Sequence, residues 1–199
     1  TPRINAASRM DDPMRAFELL STDDEAQAGI LADHLTKIND ERKSIVKGIM
    51  RDVNKKLEKR EHGDVIVIGN PEWKIGVLGL VAGKIADEYG KTVFVWGKDE
   101  SEFIRGSCRG DGSVSVVELM TDAKESADAF IEFGGHDQAG GFKVATDRIH
   151  FLEESLNKSF HKVKRDKNTS GPEFDIKSDL SLVNIKNWKE IEKMGPFGL

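Results

Sequence analysis

Between Glu25 and Lys59 the chain carries one apolar stripe, unbroken by proline, and this stretch limits what the whole can become. Leu31, Leu35, Ile38, Ile45, Ile49, Val53 and Leu57 recur at steps of three, four and seven, so they share one face of a helix. Thr22 followed by Glu25 reads as a capping box, with Asp23 and Asp24 suited to the positive end of the helix dipole. Lys55, Lys56, Lys59 and Arg60 gather at the other end, and His62-Gly63-Asp64 stops the run. Such a helix spans roughly 55 Å at about 1.5 Å per residue. That is long for a domain of this size. It is either a bundle or coiled-coil helix, or a connector that spaces two domains.

The period changes after the stop. Asp64 to Gly69 is a short apolar run with the character of a buried strand, and Asn70-Pro71 turns the chain. Gly76 to Tyr89 has a helical pattern closed by Gly90, and Thr92 to Trp96 is a second strand. Strand, helix and strand in so short a space predict a βαβ unit with parallel strands. Further strands are expected at Phe103–Cys108 and Gly141–Ala145, with helices over Val114–Met120, Ala123–Phe133 and Arg148–His161. The expected class is α/β, a mixed, mainly parallel sheet with flanking helices behind a long helix. From Lys162 to Pro172 charge and breakers mark a linker. A strand over Phe174–Leu180 and a short helix within Leu182–Met194, with Ile185, Trp188 and Ile191 on one side, then read as the start of a further domain.

Charge narrows the function. The 199 residues sum to a formal net charge of −5, unlike a generic nucleic-acid coat, so any polyanion must meet a local cluster of cations. With Cys108 as the single cysteine, neither an intrachain disulfide nor a multi-cysteine zinc site can form, and a reducing, cytoplasmic compartment is the simplest expectation. No apolar run approaches the ~20 residues that cross a bilayer, so no membrane role is expected. The polar start carries no signal-peptide pattern, and both ends read as interior to a longer protein.

Three stretches carry candidate chemistry. Gly134-Gly135-His136-Asp137-Gln138-Ala139-Gly140-Gly141 lets the backbone approach a ligand closely and offers an imidazole to a phosphate oxygen. The same residues could equally form a glycine-rich turn with His136 bonded to a nearby carbonyl. On a strand, Arg105, Ser107 and Arg109 share a face, and two guanidinium groups with a hydroxyl between them form a plausible phosphate clamp. The alternative is an exposed edge with solvated arginines. Trp73, where the first strand feeds its helix, either stacks on a base or fills the core, while Gly76 and Gly79 are expected to serve helix–strand packing. Cys108 lies between arginines that could lower its thiol pKa, but no His–Asn partner is evident. The five histidines are scattered, no His/Asp/Glu cluster has metal-ligand spacing, and no Walker loop, GxSxG or HExxH pattern occurs.

In order, Ile4-Asn5-Ala6-Ala7-Ser8-Arg9, the long acidic-to-basic helix, Trp73-Lys74-Ile75-Gly76-Val77-Leu78-Gly79, Arg105-Gly106-Ser107-Cys108-Arg109, the Gly134–Gly141 stretch and the terminal Gly195-Pro196-Phe197-Gly198 resemble the RecJ family of the DHH phosphoesterase superfamily. The resemblance implies that residues 1–20 are the tail of a catalytic DHH domain. By the same resemblance 21–62 is the connector helix, 63–165 the DHH-associated substrate-binding domain, and 166–199 a linker and the start of an oligonucleotide-binding barrel.

It further implies a 5′-to-3′ exonuclease specific for single-stranded DNA, acting in DNA repair and recombination. Two Mn2+ or Mg2+ ions would be held by the catalytic domain, with no metal or cofactor in this chain. Arg9, Trp73, Arg105, Ser107, Arg109, Gly134 and Gly135 would contact nucleic acid, and His136 would lie at the scissile phosphate without acting as nucleophile. A monomer is implied, with a single-strand-binding protein and a helicase as possible protein partners. Related phosphodiesterases of short RNA or cyclic dinucleotides share the Gly-Gly-His signature but usually carry a shorter connector and no barrel after it, and non-catalytic modules of alanyl-tRNA synthetase relatives carry a similar glycine-rich signature without the connector. On these implications the chain alone should be inactive.

Overall fold

The computed structural model describes residues 2–99, 102–163, 179–193 and 195. They divide into two compact units, Thr1–Arg165 and Asp166–Leu199. The first opens with helices α1 (Pro2–Met10) and α2 (Met14–Ser21), followed by the long α3 (Glu25–Leu57) of 33 residues, about 50 Å at the usual rise. The N-cap is Asp24 rather than Thr22: its Oδ1 accepts from the Ala26 and Gln27 amides at 2.8 and 3.2 Å. Thr22 instead accepts from the Asp24 amide and donates to Gln27 Oε1.

The stripe on α3 does two jobs along its length. Leu35 packs with Ala7 and Ala16 beneath α1 and α2, and the ring of His34 on α3 bonds Asp11 at 2.9 Å. That bond holds the Asp11 carboxyl below its ordinary value. Farther along, Val46, Ile49, Val53 and Leu57 belong to the core of the α/β layer itself. Helix α3 is therefore also a wall of the α/β layer that follows it.

The sheet holds five strands, β1 (Val65–Gly69), β2 (Thr92–Lys98), β3 (Phe103–Arg109), β4 (Glu132–His136) and β5 (Ala139–Ala145), in the order β1-β2-β3-β5-β4. The mixed α/β class holds, but the expectation of a mainly parallel sheet does not. Only β1 and β2 run parallel, joined through a short 3-10 turn (Ile75–Val77) and helix α4 (Leu78–Tyr89), while β2–β3, β3–β5 and β4–β5 are antiparallel. The cause is loop length: the links from β2 to β3 and from β4 to β5 are too short for a crossover.

Helices α5 (Val116–Ala127) and α6 (Ile149–Val163) cover the opposite face from α3 and α4. One core lies under α5 and α6, around Phe94, Phe130 and Phe142; the other lies under α3 and α4, around Ile66, Val93 and Val95. The helical pattern expected to reach Phe133 stops at Ala127, because Asp128 turns left-handed (φ 47°) and Phe130 drops into the first core.

In the second unit a 3-10 turn (Leu180–Leu182) precedes α7 (Ile185–Glu192), where Ile185 and Trp188 are exposed. The strand expected from Phe174, most of the linker, and Pro196-Phe197-Gly198 lie outside the described residues.

Candidate nucleic-acid interface

Strand β3 positions the expected clamp by simple alternation. Ile104, Gly106 and Cys108 turn into the core under α5 and α6, which leaves Arg105, Ser107 and Arg109 on the other face. Register extends this face across the sheet. Arg109 stands opposite Ala139, and Ala139 opposite His136; Ser107 stands opposite Gly141, and Gly141 opposite Gly134. Directly paired residues of antiparallel strands share a face, so His136 projects on the same side as the two arginines and the serine. Between them, Gly141 and Gly134 contribute no side chain and leave a shallow trough of bare backbone. The four groups thus share one face, as a track rather than a closed pocket: Arg105 and Arg109 are about 13 Å apart along the strand.

The environments of the two arginines differ. Arg105 Nε lies 3.7 Å from Asp99 Oδ2. Arg109 Nη1 donates to the Cys108 carbonyl at 2.7 Å and has no carboxylate partner among the described residues. The first turn of α4 abuts the other end of the clamp: a Cβ added at Gly79 would lie 3.4 Å from Arg109 Nη2 and 3.6 Å from Ser107 Oγ. Arg9 reaches the same helix from the far side of the sequence. Its backbone carbonyl fills the space beside Gly76, just before α4, and Lys74 Nζ donates to the neighbouring Met10 carbonyl at 3.3 Å. Gly76 therefore serves close approach of α1, not of a strand.

The hairpin tip that carries His136 is clasped on both sides. The Gly110 amide donates to the Gln138 carbonyl at 2.9 Å, and the Val116 amide to the Asp137 carbonyl at 2.8 Å. Gly135 has φ 153°, and a side chain there would strike the Ala139 carbonyl, so only glycine fits. Gly134 faces open space instead. Sequence reasoning placed these residues in a loop and missed that they form the edge strand β4.

The binding role expected of Trp73 is corrected, and the thiol of Cys108 is not activated. Trp73 is 6% exposed and packs with Ile68, Leu78 and Val95, with Lys56 Nζ 4.9 Å above its ring; it fills the core and is not available to stack on a base. Cys108 is fully buried, and burial pushes its thiol up to about 12 in spite of the opposing pull of Arg109 and the Gly140 amide, so the arginines do not activate it. Among the described residues, no cluster of three or more His, Cys, Asp or Glu side chains could hold a metal ion. No helix among them is long and apolar enough to cross a membrane.

Beyond Arg109 lies a feature that sequence reasoning did not find. A groove of about 790 Å³ runs between α3 and α4, edged by Arg42, Lys43, Lys47 and Lys84 together with Arg109. The signal was present in Lys43 and Lys47, four residues apart and therefore on one face of the long helix.

Comparison with known proteins places the chain in a family. Residues 40–162 match the family model described as the DHHA1 domain. The chain is 27% identical over 201 residues to the single-stranded-DNA-specific exonuclease RecJ of Bacillus subtilis, with 100% of this chain and 25% of that protein covered. It is 33% identical over 143 residues to the protein of the same name from Thermus thermophilus, covering 72% of this chain and 20% of that one. The chain thus spans a quarter or less of these relatives. Crystal structures of Thermus thermophilus RecJ in complex with Mg2+ and with Mn2+ superpose on it with a TM-score of 0.76 at 26% identity, over 99% of this chain and about 30% of theirs.

Proposed function

The chain belongs to the DHHA1 domain family as carried by RecJ-type exonucleases, and on that premise we propose that it is the part of a single-stranded-DNA-specific 5′-to-3′ exonuclease that holds the phosphates of the strand. The observation that carries the reading is the row of Arg105, Ser107 and Arg109 on β3, facing the same way as His136 across a glycine trough. Side chains of two cationic residues and a hydroxyl bind successive phosphates, and the bare backbone at Gly134 lets the strand lie close. Arg9, fixed at the entrance to α4, adds a further positive group near the same helix. His136 meets the scissile phosphate as a hydrogen-bond donor, not as a nucleophile.

Hydrolysis belongs to a DHH domain outside this chain, whose two Mn2+ or Mg2+ ions supply the activated water and neutralise charge on the phosphate. This chain supplies position and electrostatic stabilisation. The reading extends to a cytoplasmic, monomeric enzyme of DNA repair and recombination, with a single-strand-binding protein and a helicase as partners.

The test is binding of 5′-phosphorylated and unphosphorylated single strands to the 199-residue chain. Charge-assisted contacts to the terminal phosphate should make the phosphorylated strand bind about tenfold or more tightly. Arg109→Ala should weaken binding more than Arg105→Ala, since Arg105 already shares its charge with Asp99. Equal affinity for the two strands removes the 5′ clamp, and metal-dependent nuclease activity of highly purified chain refutes the division of labour.

A further inference from the structure

The phosphate track has two ends, and their charge differs. At one end Arg109 has no carboxylate partner among the described residues. At the other, the register brings a second cation beside Arg105. Lys143 on β5 stands directly opposite Arg105 on β3 and directly opposite Glu132 on β4, so the three share the face that carries Ser107, Arg109 and His136. Phe103, two residues before Arg105, lies on that face as well.

Lys143 is held where it stands. Its Nζ lies 4.4 Å from the centre of the Phe103 ring and 3.7 Å from Glu132 Oε2, and its side chain is 22% exposed. A lysine gives up rotamer freedom when it grips an anion, and one already seated on a ring gives up less. Beside it lies a shallow depression of about 360 Å³, bordered by Arg105, Glu132 and Lys143 over Gly141. The floor is open: a Cβ added at Gly141 would meet only the Gly106 carbonyl, at 3.7 Å. Two cations thus face one depression from adjacent strands, each with a carboxylate at 3.7 Å, Asp99 for Arg105 and Glu132 for Lys143.

We propose that Lys143 is a further strand-binding residue: with Arg105 it holds a phosphate downstream of the one at Arg109, and Glu132 weakens that grip. The inference rests on the proposed function, which lays a strand along β3. The two ends of the track lie about 13 Å apart, more than one nucleotide step, so a dinucleotide held at Arg109 does not reach Lys143 while a longer strand does. An exonuclease that advances along a strand must release the downstream phosphates at every step. Cations compensated by nearby carboxylates guide those phosphates without fixing them.

The experiment titrates the full 199-residue chain with two 5′-phosphorylated oligothymidylates, a dinucleotide and an octamer, at several NaCl concentrations. Lys143→Gln should weaken the octamer about fivefold or more and leave the dinucleotide within about twofold. It should also lower the salt slope of the octamer by about 0.7 in magnitude, the loss of one phosphate contact. Lys143→Arg should keep the parent's values. Glu132→Gln should act with the opposite sign and tighten the octamer about threefold. A cross-strand pair that serves stability alone predicts instead a lower melting temperature and no gain in affinity.

Octamer affinity that is unchanged in folded Lys143→Gln, or lost equally from both lengths, overturns the proposal, as does octamer binding that Glu132→Gln fails to tighten. Arg109→Ala separates this outcome from the proposed function. If it weakens both lengths while Lys143→Gln changes neither, Lys143 falls and the clamp stands. If it leaves both unchanged while Lys143→Gln still weakens the octamer, the clamp at Arg109 falls and Lys143 stands. If the unaltered chain binds neither strand, both fall.

Discussion

At the scale of single residues, two neighbouring glycines do different work. Gly135 is required by its backbone, because φ 153° and the Ala139 carbonyl leave no room for a methyl group. Gly135→Ala should therefore cost about 1–3 kcal/mol, read as a lower urea midpoint. Gly134 has open space around it. Gly134→Ala should leave stability within about 0.5 kcal/mol of the parent and, on the proposed function, weaken strand binding, because the methyl would stand in the open space that the proposal gives to phosphate. The same denaturation and binding assays on the two variants separate a structural glycine from a binding glycine. This distinction was not legible in the sequence, where the pair looks alike. The arginines of β3 were legible, because alternation is fixed by the strand itself. Trp73 was not: a large aromatic beside a turn reads equally as a stacking platform or as core, and only packing against Ile68 and Leu78 decides it.

At the scale of elements, the caps and loops set the boundaries. Asp24 satisfies two amides at the start of α3, and Asp24→Ala should cost about 1 kcal/mol in a thermal or urea unfolding experiment. Asp111, in the loop after β3, accepts from the Thr92 hydroxyl at 3.1 Å and from the Ser113 hydroxyl and amide at 2.6 and 2.9 Å. Burial acts to raise its carboxyl, but these hydrogen bonds prevail and hold it below the ordinary value. A depressed carboxyl stabilises the fold above the unfolded value near 3.9 and loses that contribution as pH falls through the lower folded value. Stability should therefore decline on acidification below about pH 4, and Asp111→Asn should be less stable at pH 7 and less sensitive to acid. The long helix was legible from its stripe. The edge strand β4 was not, because Gly134 and Gly135 carry no strand propensity and the spacing of Phe130 and Phe133 imitates a helix.

At the scale of the whole molecule, a chain of net charge −5 sets Arg105 and Arg109 on one face of β3 and lines the groove beside Arg109 with Arg42, Lys43, Lys47 and Lys84. Strand binding should accordingly be electrostatic but limited in extent. If three phosphates are neutralised, the logarithm of the binding constant should fall with the logarithm of salt concentration with a slope of about −2. Titrations at several NaCl concentrations measure it, and a slope near zero would mean that phosphates are not the main contact. The α/β class was legible from the first strand–helix–strand unit. The direction of the later strands was not, since it depends on which strands become neighbours, and that is settled by short loops rather than by propensity.

Helix α3 runs from the cover of α1 and α2 to the wall of the cationic groove as one rod of about 50 Å. A rod held at both ends acts as a lever. Tilting it by 5° about its midpoint would move each end by about 2 Å and the groove wall, from Arg42 to Met50, by about 1 Å at most. Whatever presses on α1 and α2 therefore has a mechanical route to the width of the groove.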